Sequence, residues 1–62
     1  MANPKFKIQK SKSDDFYFNL HAAGNGKIIA TSEMYSSKQA CKDGIDSVVK
    51  NAPLAEIEDL TL

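Results

Sequence analysis

Apolar and polar residues alternate with period two over the first third of the chain. Phe6 and Ile8 are separated by Lys7 and flanked by Lys5 and Gln9, the pattern of a strand with one face in water. The polar cluster Ser11-Lys12-Ser13-Asp14-Asp15 predicts a turn. Phe16, Phe18, Leu20 and Ala22 then alternate with Tyr17, Asn19 and His21. This predicts a second strand whose even-numbered positions share a core with Phe6 and Ile8. Gly24-Asn25-Gly26 follows, and Asn-Gly suits a type I′ hairpin turn, in which both central residues take positive φ. A third strand is expected from Lys27 to about Ser32. Ile28 and Ile29 are adjacent there and point to opposite faces, and the pattern does not choose which of them meets the core.

The period then changes. Ala40, Cys41, Gly44, Ile45, Val48 and Val49 recur at helical spacing and predict an amphipathic helix from Ser37 to Lys50. Ser36 is the expected N-cap, with Gln39 three residues later completing a capping box and Tyr35 preceding it as a staple residue against Ala40. Gly44 lies inside the apolar stripe at a cost of about 1 kcal/mol against alanine, which predicts a close approach between helix and sheet. Asn51 is expected to end the helix in the left-handed conformation, with Pro53 blocking its continuation. Leu54 to Leu62 is predicted as a last strand with a split register. Ala55 and Ile57 share one parity, and Leu54, Leu60 and Leu62 the other. Either a bulge near Glu58-Asp59 reconciles the two, or both faces of the strand are partly covered by a partner.

Length sharpens that last point. The 62 residues make a single domain, residues 1–62, and a chain this small buries only about 60% of its unfolded surface. Chains of this size commonly rely on disulfides, a metal or self-association. Cys41 is the only cysteine, so no internal disulfide forms, and Cys41 with His21 does not complete a tetrahedral metal shell. Self-association becomes the leading expectation.

Charge excludes more than it suggests. Eight basic and eight acidic side chains cancel, leaving no global field for nucleic acid or an anionic membrane. No apolar run approaches the roughly 20 residues that span a bilayer, and the start, Met1 to Phe6, lacks the apolar region of a signal peptide. With one unpaired thiol, a reducing cytoplasm is the expected setting.

Few residues are left to carry chemistry. Cys41 falls on the apolar stripe, where cysteine behaves as a small hydrophobe. His21 falls on the outer, wet face of the sheet and is expected to be solvated. Lys5, Lys7, Tyr17, Asn19 and His21 share that outward parity, so Lys5, Lys7, Tyr17 and His21 form a candidate anion patch. Its single aromatic and the neutral net charge argue against a nucleic-acid surface. Tyr35, Ser36 and Ser37 sit at the strand-to-helix junction, where backbone amides and hydroxyls suit an anion or a small ligand. No P-loop, dinucleotide fingerprint or His-Glu helix motif is present. No catalytic residue, metal or cofactor is expected.

Asn25-Gly26, Ile28 to Glu33, Tyr35 to Lys38, Gly44 to Val48 and Asn51-Ala52-Pro53 together resemble the YegP-like proteins, small and mainly bacterial proteins of unknown function. The likeness runs from Phe6 to Thr61 and departs at Met34, where such sequences commonly carry a small residue. The resemblance implies an α+β fold, a β-β-β-α-β unit with one helix packed on an antiparallel sheet. It also implies that units work in pairs, as two subunits or as tandem repeats, sharing one sheet and exchanging C-terminal strands. A single unit is then expected to form a homodimer. It brings no activity, substrate or catalytic residue. The expected function is a non-enzymatic homodimeric interaction module that engages a protein partner, with a small-ligand or anion binder at Tyr35-Ser36-Ser37 as the alternative.

Overall fold

The computed structural model describes residues 3–61; Met1, Ala2 and Leu62 lie outside the described residues, and with them the last position of the expected C-terminal strand. Three strands, β1 (Lys5–Lys10), β2 (Phe16–His21) and β3 (Ile28–Thr31), precede one helix, α1 (Lys38–Asn51), and a 3-10 turn at Ala52–Leu54. The architecture is α+β, as expected. The sheet is antiparallel in the order β1-β2-β3. Phe6 faces Leu20 and Ile8 faces Phe18 across β1 and β2, so the period-two pattern puts them on one face of the sheet. Ile8, on the edge strand, stays exposed rather than joining the core.

The first turn is held by Ser11, whose Oγ accepts from the amides of Ser13 and Asp15 at 3.2 and 3.1 Å. The second connection departs from the expected two-residue turn. Positive φ falls on Gly24 (78°) and Gly26 (69°), with Asn25 outside that region. Asn25 instead uses its Oδ1 to accept from the Lys27 amide at 3.0 Å, and the Ala22 amide donates to the Lys27 carbonyl at 2.8 Å. The connection from Ala22 to Lys27 is thus wider than a two-residue type I′ turn. A bulge between Leu20 and His21 then shifts the register so that His21 faces Ile28. Ile28 and Ile29 are both exposed.

The core is small. Phe18 and Cys41 are the buried apolar side chains among the described residues. Phe6 meets Phe18 edge-on with centroids 5.6 Å apart, and Tyr35 stacks on Phe18 at 6.3 Å. Gly44 of α1 lies against the same tyrosine. A Cβ there would sit 2.7 Å from Tyr35 Cζ, closer still to its Oη, and 3.4 Å from Phe18 Cε2. The missing side chain is thus the space the tyrosine ring fills.

The helix begins one residue later than its sequence pattern predicts. Ser37, not Ser36, is the N-cap: it is extended (φ −140°, ψ 156°) and its Oγ accepts from the Ala40 amide at 3.1 Å. The cause lies one step upstream. Tyr35 exchanges both backbone hydrogen bonds with Phe16, at 2.8 and 2.7 Å, which holds the chain extended through the junction. The Ser36-Gln39 capping box does not form; Gln39 donates to Asp43 Oδ1 at 3.0 Å. At the other end Asn51 stays right-handed (φ −96°, ψ −35°). Its Nδ2 donates to the Ser47 carbonyl at 2.8 Å, and the chain runs straight into the 3-10 turn.

Residues 55–61 form no strand with the rest of the chain. Leu54, Ile57 and Leu60 are 81, 97 and 83% exposed. Within one chain the expected fourth strand is absent, because neither free sheet edge, β1 or β3, receives it.

Candidate functional site

At the strand-to-helix junction, Tyr35, Ser36 and Ser37 come together as neighbours with different tasks. Tyr35 is half-buried by Phe18 and Gly44, and Ser37 spends its hydroxyl on the helix cap. Ser36 is exposed. Beside them the Ser32 hydroxyl accepts from the Phe18 amide at 2.9 Å and donates to the Glu33 carbonyl at 2.8 Å. The Ser32 hydroxyl thus extends the pairing of β2 with the chain just past the end of β3.

Cys41 is fully buried on the core side of the sheet, and burial pushes its thiol above the ordinary value. A raised value keeps the sulfur protonated and weakly nucleophilic. The described residues contain no cluster of three His, Cys, Asp or Glu side chains able to hold a metal ion.

The outward patch is assembled by pairing. Lys5 faces His21, Lys7 faces Asn19 and Gln9 faces Tyr17. Two of its members are not as wet as their parity predicts. Asn19 is buried, with its Nδ2 donating to Thr31 Oγ1 at 2.9 Å. His21, expected to be solvated, is half-buried, and its Nδ1 lies 2.8 Å from the Gly26 carbonyl. A central strand is shaded by the side chains of both neighbours, which period two alone does not register. The other ring nitrogen, Nε2, is buried without a hydrogen-bond partner among the described residues. A cavity of about 100 Å³ opens here, lined by Asn3, Lys5, Lys7, His21, Ala22 and Gly26. Tyr17 stands outside it. Asn3, Ala22 and Gly26 were missed by pattern reading, since only the glycine-rich loop folding back toward the start of β1 brings them in.

The fold and its recurring residues can be set beside known proteins. The family described as "Domain of unknown function (DUF1508)" matches residues 11–59. The chain belongs to this family. Relatives of this DUF1508 chain include a UPF0339 protein of Treponema denticola, 52% identical over 56 residues that make up 90% of this chain and 95% of the relative. UPF0339 protein YegP of Yersinia pestis is 47% identical over 53 residues, 86% of this chain and 46% of the relative. The chain spans about half the length, or less, of several curated relatives described as UPF0339 proteins, the Yersinia one among them. The NMR solution structure of a protein from Haloferax volcanii is similar to this fold with a TM-score of 0.83 and 37% identity, over 95% of this chain and 98% of that one. The resemblance to YegP-like proteins read from the turn, junction and helix residues is thereby established. No described helix is long and apolar enough to cross a membrane.

Proposed function

We propose that this DUF1508 protein is a non-enzymatic homodimeric interaction module in which two copies exchange their C-terminal segments. The observation that carries the reading is the bare apolar arm, with Leu54, Ile57 and Leu60 almost wholly in water. Burying each is worth about 1.5–3 kcal/mol, which in sum rivals the net stability of a whole domain.

The overall dimensions support it. A compact 6.8 kDa monomer should expose about 4,000 Å², whereas this chain exposes 5155 Å². Its radius of gyration is 13.2 Å, against about 11 Å for a compact chain of this length. A surplus of roughly 1,200 Å² on each of two copies falls within the range of obligate dimer interfaces. Sheet edges β1 and β3 are both open to strand addition. The Yersinia relative, of which this chain covers 46%, has room for two such units in one chain.

The non-enzymatic part rests on placement. Cys41 lies on the core face and His21 on the opposite face of the sheet, so the two do not make a nucleophile-base pair of the kind covalent catalysis requires. Sedimentation equilibrium of the full-length protein tests the reading, with a dimer expected at micromolar concentration. Deleting residues 54–62 should abolish folding and association together. A folded truncated monomer, or a full-length chain that stays monomeric at high micromolar concentration, would overturn it.

A further inference from the structure

The cavity on the outer face of the sheet carries an assignment that does not depend on the arm. His21 Nδ1 lies 2.8 Å from the Gly26 carbonyl. A carbonyl only accepts, so Nδ1 must carry the proton that joins them. The tautomer of the neutral ring is then fixed, with a bare lone pair at Nε2; in the cationic ring Nε2 becomes a second donor. In either form Nε2 is buried and, among the described residues, unpartnered, a condition that native structures rarely leave unexplained.

The surroundings say what is missing. Lys5 and Lys7 line the same cavity as His21, from successive outward positions of β1. Asn3 adds an amide, and no carboxylate is among the lining residues. The volume, about 100 Å³, is well below the roughly 300–1,000 Å³ of pockets that take whole drug-sized ligands. It suits one compact anionic group.

We propose that this cavity binds a small phosphate-class oxyanion, held by the Lys5 and Lys7 ammonium groups and paired with His21 Nε2. Phosphate matches both states of the ring. A phosphate oxygen accepts from a protonated Nε2, and a phosphate hydroxyl donates to a neutral one. The two lysines supply charge-assisted hydrogen bonds, and Gly26 holds the imidazole in place from behind. Neutral net charge of the whole chain favours a small ion over a polyanion, whose binding grows with the number of lysines and arginines engaged.

The test is a titration of the full-length protein, labelled with nitrogen-15 in His21, with inorganic phosphate. Sodium chloride at matched ionic strength is the control. The Nε2 resonance should move and saturate with phosphate, with a smaller response at Nδ1 and none of this in chloride. Lys5→Gln with Lys7→Gln should weaken binding about tenfold or more, through loss of the charge-assisted hydrogen bonds. His21→Asn places an amide where Nδ1 was, keeps the Gly26 contact and removes Nε2, so it should lose affinity while the melting temperature holds. His21→Gln, whose amide reaches toward the Nε2 position, should recover part of it. A linear shift that chloride reproduces, or saturable binding unchanged by the double lysine variant, would overturn the assignment.

Discussion

Gly44 is unfavourable for a helix by about 1 kcal/mol relative to alanine, yet it stands in the middle of α1. The Tyr35 ring occupies the place of its absent Cβ, so the helical loss is offset by a stacked aromatic pair over Phe18. Gly44→Ala should therefore destabilise, by about 1–3 kcal/mol for overpacking less the propensity gain. In a Tyr35→Ala background the same substitution should become neutral or stabilising, and urea denaturation of the four proteins measures the coupling. The sequence shows only that this glycine needs a reason. Nothing in its spacing names a tyrosine nine residues earlier.

Cys41 makes a second prediction at this scale. Its thiol is raised in the folded state by burial, so the folded protein binds its proton more tightly than the unfolded chain. That contribution is fully present below the ordinary thiol value of about 8.5 and is lost as pH rises through the higher folded value. Native protein should react slowly with a thiol reagent at pH 8, and the fall in stability above about pH 8.5 should be shallower in Cys41→Ala. A fast, stoichiometric reaction in the folded state would contradict the burial.

Among the elements, α1 has the boundary most open to direct measurement. Ser37→Ala should cost about 1 kcal/mol through loss of its cap to the Ala40 amide. Ser36→Ala, at an exposed position, should stay within about 0.5 kcal/mol. Thermal melts of both settle which serine caps. The sequence alone offers two adjacent serines, and the apolar stripe tolerates either start. The bridge between Tyr35 and Phe16 decides, and it is a long-range contact with no local signature. The strands were legible for the opposite reason: Phe6, Ile8, Phe18 and Leu20 declare their face by period alone, and the register agrees. The glycine-rich loop was legible as a connection but not in its conformation, because Asn25 bonds to the backbone rather than taking positive φ itself. Of the candidate site, parity placed Lys5, Lys7 and His21 together but not Asn3 or Gly26, which enter by tertiary folding.

At the scale of the whole molecule, the chain is larger in surface and radius than its mass allows for a compact monomer. The split register of residues 54–62 is the sequence counterpart of that excess: a strand with apolar residues of both parities is poorly suited to one sheet with one wet face. Exposed Ile28 and Ile29 lie on β3, an edge strand of the sheet. If folding and association are linked, the melting temperature should rise with protein concentration; a midpoint constant over a hundredfold range would contradict linkage. The measurement closest to the central claim is an isotope-filtered NOE spectrum of an equimolar mixture of carbon-13-labelled and unlabelled chains, co-refolded. The account predicts cross-chain contacts between the methyl groups of Ile57 and Leu60 of one copy and the sheet of the other. Contacts confined to single chains, or an arm that keeps random-coil shifts in a folded monomer, would contradict it.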